Sequence, residues 1–173
     1  MLQNALHMIG SPHGLKPLSN VVLGIGTDVV YLPRFKNLIS KYGSSEDGKR
    51  LHRLLGKFMH NRELSEFQEL VNGGKYGLPL VHYIAGIWAT KEAVYKALAS
   101  RQVACAMPPA QTIYTKLLYK TNDAKGVPRI EIDHSLTVQY PKFIQDSILN
   151  TKFLVSLSHD EDYLVSYVCQ TKV

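Results

Sequence analysis

Three charged side chains lie in apolar surroundings where they could hold a metal ion and a phosphate. Asp28 follows Gly26 in an otherwise apolar segment, and Glu92 and Lys96 lie four residues apart in the most apolar stretch of the chain. In a helix, residues with this spacing share one face. Carboxylate oxygens are ligands that Mg²⁺ prefers, and an ammonium can offset charge on phosphoryl oxygens. Together with a Ser/His-containing strand near the C-terminus, these residues could hold Mg²⁺ and a pyrophosphate while a hydroxyl attacks phosphorus.

Each of these residues also has an ordinary structural interpretation. Asp28 could cap the turn that follows its strand. Glu92 and Lys96 have the orientation of a common surface ion pair, which contributes only about 0.3–0.5 kcal/mol. The residues that flank the pair are apolar, however, and leave little of this helix for solvent, which favours a cleft. The flanking residues are Ala85, Ile87, Ala89, Ala93, Val94, Ala97 and Leu98.

A third polar group lies at the end of a predicted strand near the C-terminus. Ser156, Ser158 and His159 could contact phosphate oxygens or an adenine ring, although a histidine at a hairpin turn is more often polar surface. Nothing in their spacing fixes a Ser-His-Asp triad. The glycines at Gly24 and Gly26 are too few for a dinucleotide fingerprint, and the chain has no Walker A sequence.

The hydrophobic pattern predicts the elements that must position these residues. A buried strand is predicted over Val21–Tyr31, where two glycines permit another backbone to approach closely. Asn61 is a candidate helix cap, and Pro79 opens the longest apolar helix. Helices are predicted at about 32–41, 49–58, 62–71 and 80–100.

The C-terminal half of the chain is predicted to consist mostly of strands. A short helix is expected after Pro141, and the last two strands should form a hairpin. The fold class is therefore α+β, with a mostly antiparallel sheet packed on the long central helix. Strands are predicted at 112–120, 129–133, 152–158 and 163–170.

Composition indicates one globular domain. Of the 173 residues, 45% are hydrophobic and 20% are charged, and no apolar run approaches the length of a membrane span. We expect a single domain over residues 21–173, preceded by an extension over residues 1–20. The extension has no acid, which is compatible with mitochondrial targeting, but Lys16 is its only lysine or arginine, which equally fits a floppy segment.

The positive charge is concentrated in one segment. Between Arg34 and Arg62 there are eight Lys or Arg and two acids, so this segment holds the whole net charge of +6. A local basic segment indicates an anionic partner, although a solvated helix surface is a simpler explanation. A nucleic-acid or ribosome-associated binding module is the alternative function that this charge favours.

Three segments, in this order, resemble the holo-acyl-carrier-protein synthase family of 4′-phosphopantetheinyl transferases. They are GIGTDVVYLPRF (24–35), WATKEAVYKAL (88–98) and SLSHDEDYLVSYV (156–168). The resemblance extends from about Val21 to the C-terminus and implies the fold of that family. It also implies the activity, which is Mg²⁺-dependent transfer of 4′-phosphopantetheine from coenzyme A to a serine of an apo acyl carrier protein, with release of 3′,5′-ADP.

The resemblance also implies a role for individual residues. Asp28 and Glu92 would ligate Mg²⁺ on the coenzyme A pyrophosphate, and Glu92 or a metal-bound water would accept the serine proton. Lys96 would stabilise the transferred phosphoryl group. The remaining positions that match the family are Lys91, which would contact coenzyme A, Ser158 and His159, which would border the nucleotide, and Arg34, which would pair with an acid of the carrier.

Two places depart from the family pattern. Ile87 stands where many relatives carry an arginine near coenzyme A, and residues 99–110 replace a glycine-rich turn. Compact bacterial members are typically homotrimers, so a homotrimer is expected here too. The expected partners are coenzyme A and a carrier protein rather than nucleic acid. The expected location is the mitochondrion, with the cytoplasm as the alternative.

Overall fold

The first half of the chain is one strand followed by four helices. The computed structural model describes residues 21–43, 49–101 and 107–173, so the predicted extension over residues 1–20 lies outside the described residues. No helix in these ranges is both long and apolar enough to cross a membrane. The elements are β1 (Val22–Tyr31), α1 (Leu32–Gly43), α2 (Lys49–Leu55), α3 (Asn61–Asn72) and α4 (Leu78–Ala99).

The second half contains the remaining strands and several short helical segments. Two of these segments begin as α-helix and continue as the wider π-helix. The elements are α5 (Ala110–Thr112) with its π-helical continuation Ile113–Leu117, β2 (Leu118–Asn122), β3 (Pro128–Ile132), a 3₁₀ turn (His134–Leu136), α6 (Pro141–Phe143) with its π-helical continuation Ile144–Ile148, β4 (Thr151–Asp160) and β5 (Tyr163–Lys172).

One antiparallel sheet packs on the longest helix. Its strand order is β1-β5-β4, and β2 and β3 form a separate antiparallel ribbon. Helix α4 contacts both β1 and β5 and buries thirteen of its residues. The expected α+β class and the antiparallel sheet on a long central helix are therefore confirmed.

Two glycines bring the backbone of β1 into contact with the backbone of α4. A Cβ added at Gly26 would lie 1.9 Å from the carbonyl oxygen of Ala93, and one added at Gly24 would lie 2.1 Å from that of Ala97. Advancing two residues along the strand thus moves the contact back by one turn of the helix. The next inward-facing residue of β1 is Asp28, which this geometry places beside the turn of α4 that carries Glu92.

We expect Gly26→Ala to separate β1 from α4. The added methyl meets a backbone oxygen that cannot move without distorting the helix, so the variant should lose about 1–3 kcal/mol of folding free energy. Chemical denaturation measures this loss. Gly86→Ala, in α4, is the matched control, because the added Cβ would lie an ordinary 3.8 Å from Leu157. Equal stability of Gly26→Ala and Gly86→Ala would contradict the close approach.

Two local predictions were wrong. The first was the strand at 112–120, because helix extends to Leu117 and β2 begins only at Leu118. The buried residues Ile113, Tyr114 and Leu117 follow helical spacing rather than strand alternation. The second was the cap of α3, which is His60 and not Asn61. The His60 side chain accepts a hydrogen bond from the backbone, and the Glu63 side chain accepts one from the His60 backbone N–H.

Candidate functional site

Asp28 and Lys96 meet where β1 crosses α4. The Lys96 ammonium lies 2.8 Å from Oδ1 of Asp28 and 2.9 Å from the carbonyl oxygen of Thr27. The Asp28 side chain is 14% exposed and that of Lys96 is 49% exposed, so the pair lies where the junction of β1 and α4 is open to solvent. We call this junction, with Glu92 beside it, the cleft. Lys96 therefore pairs with Asp28, and not with Glu92 as the four-residue spacing alone would allow. Asp28 interacts with α4 rather than capping a turn.

Glu92 lies one helical turn before Lys96, and its carboxylate is held by a tyrosine. The Tyr114 hydroxyl donates to Oε1 of Glu92 at 2.9 Å. Burial, reinforced by the nearby Glu92 charge, raises the pKa of Tyr114 well above its usual value, so the hydroxyl remains a donor at neutral pH. Sequence reasoning missed Tyr114, because it was placed in a strand and no motif marks it.

Lys91, which the resemblance predicted to contact coenzyme A, points into the core and not toward the cleft. Its side chain is 1% exposed, as is that of Glu63, and the two ion-pair at 2.5 Å. The ammonium also donates to the carbonyl oxygen of Phe58 at 3.0 Å and to that of Tyr114. An ammonium has three donors, and here all three are engaged inside the core.

The carboxylate of Glu63 in α3 accepts hydrogen bonds from three donors in different parts of the chain. It binds Lys91 of α4, accepts the backbone N–H of His60 at 2.8 Å, and accepts that of Lys120 in β2 at 2.7 Å. Burial lowers the pKa of Lys91 to about 8, partly offset by the Glu63 charge. With three donors on one carboxylate, the ionised pair is the form that this arrangement satisfies.

Ser158 and His159 point to opposite sides of the sheet. The His159 ring stacks on His82 of α4, with 4.6 Å between ring centroids, whereas Ser158 lies on the outer face. Burial, followed by repulsion from His159, lowers the pKa of His82. The two residues predicted to border a nucleotide therefore do not form one surface on a single chain.

Arg34 lies beside an apolar pocket next to the cleft. Its guanidinium carbon is 5.5 Å from the centroid of the Trp88 ring and 5.3 Å from that of Phe35. The pocket has a volume of about 510 Å³ and is also lined by Lys57 and Tyr114. Because Tyr114 lines this pocket and also donates to Glu92, it links the pocket to the Glu92 carboxylate.

Ile87 faces the core and not the cleft. It is 1% exposed, within the buried surface of α4. The other departure from the family pattern, residues 99–110, includes 102–106, which lie outside the described residues. Ile87 therefore presents no polar group to the cleft in the position where many relatives carry an arginine.

The cleft offers two carboxylates and one ammonium. Across the described ranges, no group of three or more His, Cys, Asp or Glu side chains could hold a metal ion. Mg²⁺ is commonly bound by only one or two carboxylates, together with water and substrate phosphates. Asp28 and Glu92 fit this donor set, whereas they do not fit a metal site built from protein ligands alone.

Comparisons with known proteins converge on one family. A family model described as the 4′-phosphopantetheinyl transferase superfamily matches residues 24–168. The mitochondrial holo-[acyl-carrier-protein] synthase of Saccharomyces cerevisiae is 42% identical over 154 residues, which cover 84% of this chain and 89% of the relative.

Solved structures give the same result. The holo-[acyl-carrier-protein] synthase of Neisseria meningitidis matches with a TM-score of 0.59 and 27% identity, over 87% of this chain and 99% of that chain. The Bacillus anthracis synthase, solved in complex with CoA (3′,5′-ADP), matches with a TM-score of 0.55 over 88% of this chain and 98% of that chain. Its 18% identity supports the fold alone.

Proposed function

This chain belongs to the 4′-phosphopantetheinyl transferase superfamily, and we propose that the cleft between β1 and α4 is its active site. The resemblance to holo-acyl-carrier-protein synthases is confirmed. The reaction moves 4′-phosphopantetheine from coenzyme A to a serine of an apo acyl carrier protein and releases 3′,5′-ADP. The comparisons do not support the alternative, a basic nucleic-acid or ribosome-associated binding module.

The observation that carries this proposal is the meeting of Asp28 and Lys96 beside Glu92. Asp28 and Glu92 are the residues that would hold Mg²⁺ against the pyrophosphate of coenzyme A. When bound, Mg²⁺ offsets negative charge on the pyrophosphate and on the departing nucleotide. The half-exposed Lys96 ammonium can then donate to phosphoryl oxygens while Asp28 orients it.

The chemical step forms one bond and breaks one. The carrier serine oxygen attacks the β-phosphorus of coenzyme A, and the bond from that phosphorus to the bridging oxygen breaks. That oxygen leaves as part of 3′,5′-ADP. We assign to Glu92 the acceptance of the serine proton, directly or through one water. Lys96 stabilises the charge that spreads over the phosphoryl oxygens, and binding of both substrates in line contributes the rest.

We propose that the enzyme is a homotrimer in which the outer face of the sheet is covered by a second copy. This face carries exposed apolar side chains in register across the three strands, and Ser158, Val165 and Val29 form one row across β4, β5 and β1. Such patches mark interfaces. The exposed residues are Ile25, Val29, Tyr31, Leu154, Tyr163, Val165 and Tyr167. A solution mass of one chain would refute the trimer.

If a second copy covers the outer face of the sheet, Ser158 lies at a site between two chains. On one chain, Ser158 and His159 lie on opposite faces, so both can border one nucleotide only where chains meet. We retain both as proposed coenzyme A contacts on this basis. We do not retain Lys91, because its ammonium is enclosed in the core.

We propose that Arg34 and the neighbouring pocket receive the carrier protein. The pocket combines two cations, Arg34 and Lys57, with the Phe58 and Trp88 rings, which suits an acidic partner that also presents an apolar side chain. It lies directly beside the Glu92 cleft, where the carrier serine must arrive. Arg34 is held above Trp88 by a cation–π contact, so its charge is oriented before docking.

Arg34→Glu should weaken carrier binding and leave coenzyme A binding unchanged. Charge reversal opposite an acidic carrier should raise the KM for the carrier by about tenfold or more, with the larger effect at low salt. Steady-state kinetics with each substrate varied in turn measure the split. Lys125→Glu, in the exposed β2–β3 turn, is the matched charge reversal. Equal increases in both KM values would exclude docking at Arg34.

We propose a mitochondrial acyl carrier protein as the substrate. The support is the mitochondrial name of the Saccharomyces cerevisiae relative, the basic pI of the chain and the acid-free character of residues 1–20. Within this proposal residues 21–173 form the single transferase domain. Fusion of residues 1–25 to a fluorescent reporter tests the location, and a diffuse cytosolic signal would count against it.

Transfer itself is tested by weighing the carrier. The protein is incubated with coenzyme A, Mg²⁺ and an apo acyl carrier protein, and the carrier is analysed by intact-mass spectrometry. We expect a carrier heavier by one phosphopantetheine group, with 3′,5′-ADP formed in equal amount. No adduct on mitochondrial or bacterial carriers would refute the enzymatic function.

A further inference from the structure

Tyr114 is fixed by hydrogen bonds at its side-chain hydroxyl and at its backbone oxygen. It is 6% exposed, its hydroxyl donates to Oε1 of Glu92 at 2.9 Å, and its backbone oxygen accepts from Lys91. Its ring also meets the Tyr95 ring edge-on, with 6.0 Å between centroids. The hydroxyl therefore has a fixed position relative to α4.

We propose that Tyr114 is a positioning residue that presents Glu92 to the metal and to the serine hydroxyl. This inference rests on the proposed function. Tyr114 engages one carboxylate oxygen, Oε1, and within the described part of the chain Oε2 has no protein partner. One oxygen is thus fixed by the protein, and the other is left for a ligand.

The rigidity behind this hydrogen bond comes from the buried ion pair. Lys91 precedes Glu92 in α4, and its ammonium binds both Glu63 and the Tyr114 backbone. The same helix therefore supplies the carboxylate and the anchor of the tyrosine that holds it. A glutamate with three rotatable bonds loses side-chain entropy when it is ordered, and here the protein orders it before any ligand binds.

The proposal is tested by metal binding and not by activity alone. Mn²⁺ is titrated into the protein in the presence of coenzyme A, and free Mn²⁺ is followed by electron paramagnetic resonance. Tyr114→Phe removes a hydrogen bond to a charged group, and the variant should therefore bind Mn²⁺ about tenfold more weakly than the wild type. The Mg²⁺ concentration for half-maximal transfer should rise by a similar factor. The KM for the carrier should stay unchanged, because Tyr114→Phe keeps the ring that lines the neighbouring pocket and removes only the hydroxyl bound to Glu92.

Two further variants separate positioning from packing. Tyr95→Phe removes a hydroxyl from the ring that packs against Tyr114, and it should bind Mn²⁺ like the wild type. Tyr114→His retains a ring with an N–H donor, and it should recover part of the affinity lost in Tyr114→Phe. Thermal unfolding of all variants shows whether each remains folded.

Each outcome decides between the two proposals. Wild-type Mn²⁺ affinity in a folded Tyr114→Phe variant would overturn the positioning role and leave the proposed function standing. An increase only in the carrier KM would assign Tyr114 to carrier docking instead and would also overturn it. A wild-type protein that modifies no carrier would refute the proposed function, and this inference with it.

Discussion

Glu92→Gln and Asp28→Ala should each lower kcat for phosphopantetheine transfer by at least about a hundredfold, because each removes a carboxylate that would hold the Mg²⁺ whose charge offsets that of the pyrophosphate. Both variants should still fold. The amide introduced by Glu92→Gln would retain an oxygen that can accept from Tyr114. Lys96, freed from Asp28, is 49% exposed and can be solvated. Initial rates at saturating coenzyme A and Mg²⁺, together with circular dichroism, measure both effects.

Glu131→Gln is the matched control for loss of an acidic charge. Glu131 is exposed in β3, outside the cleft, so its replacement should change neither rate nor stability. Wild-type turnover in Glu92→Gln or Asp28→Ala would show that the metal assignment is wrong. Unfolding of either variant would instead show that the carboxylate is structural, as spacing alone allowed.

Lys91→Met should destabilise the fold by about 3–5 kcal/mol. The substitution leaves the carboxylate of Glu63, 1% exposed, buried without its counter-charge. It also removes the donor to two backbone oxygens, those of Phe58 and Tyr114. Urea denaturation measures the loss. Lys125→Met, at an exposed turn position, should leave the unfolding midpoint unchanged.

A second substitution tests the cause of that loss. Glu63→Gln removes the charge that Lys91→Met leaves uncompensated and keeps one oxygen for the Lys120 N–H. The double variant should therefore lose less folding free energy than the sum of the losses in the two single variants. The difference, which is the coupling energy, should be about 1–3 kcal/mol. A Lys91→Met variant as stable as the wild type but weak in coenzyme A binding would restore the ligand contact that the sequence resemblance implied.

Much of the positioning of the site could be predicted from sequence, because it depends on local patterns. Paired glycines before Asp28 indicate close backbone approach, and they do contact α4. The four-residue spacing of Glu92 and Lys96 predicts that the two side chains lie on one face of a helix. Two segments of alternating apolar and polar residues, separated by a short turn, predict the β4–β5 hairpin. Each of these signals lies within a short stretch of chain, where periodicity determines the structure.

The parts that were missed depend on distant contacts. Lys91 finds Glu63, which lies 28 residues earlier. Tyr114 reaches Glu92 only because the chain remains helical to Leu117, in a segment too short to be helical without tertiary packing. The exposure of Ser158 on the outer face follows from sheet register, which sequence alternation alone could not assign to a side.

We propose that Asp28 and Glu92 together hold the divalent cation on the pyrophosphate of coenzyme A. A crystal structure of the protein with coenzyme A and Mn²⁺, in which the metal is located by its anomalous scattering, tests this most directly. We predict one Mn²⁺ bound by an oxygen of each carboxylate and by pyrophosphate oxygens, with Lys96 beside the β-phosphate. A metal bound elsewhere, or a pyrophosphate remote from both carboxylates, would contradict this assignment of the metal site.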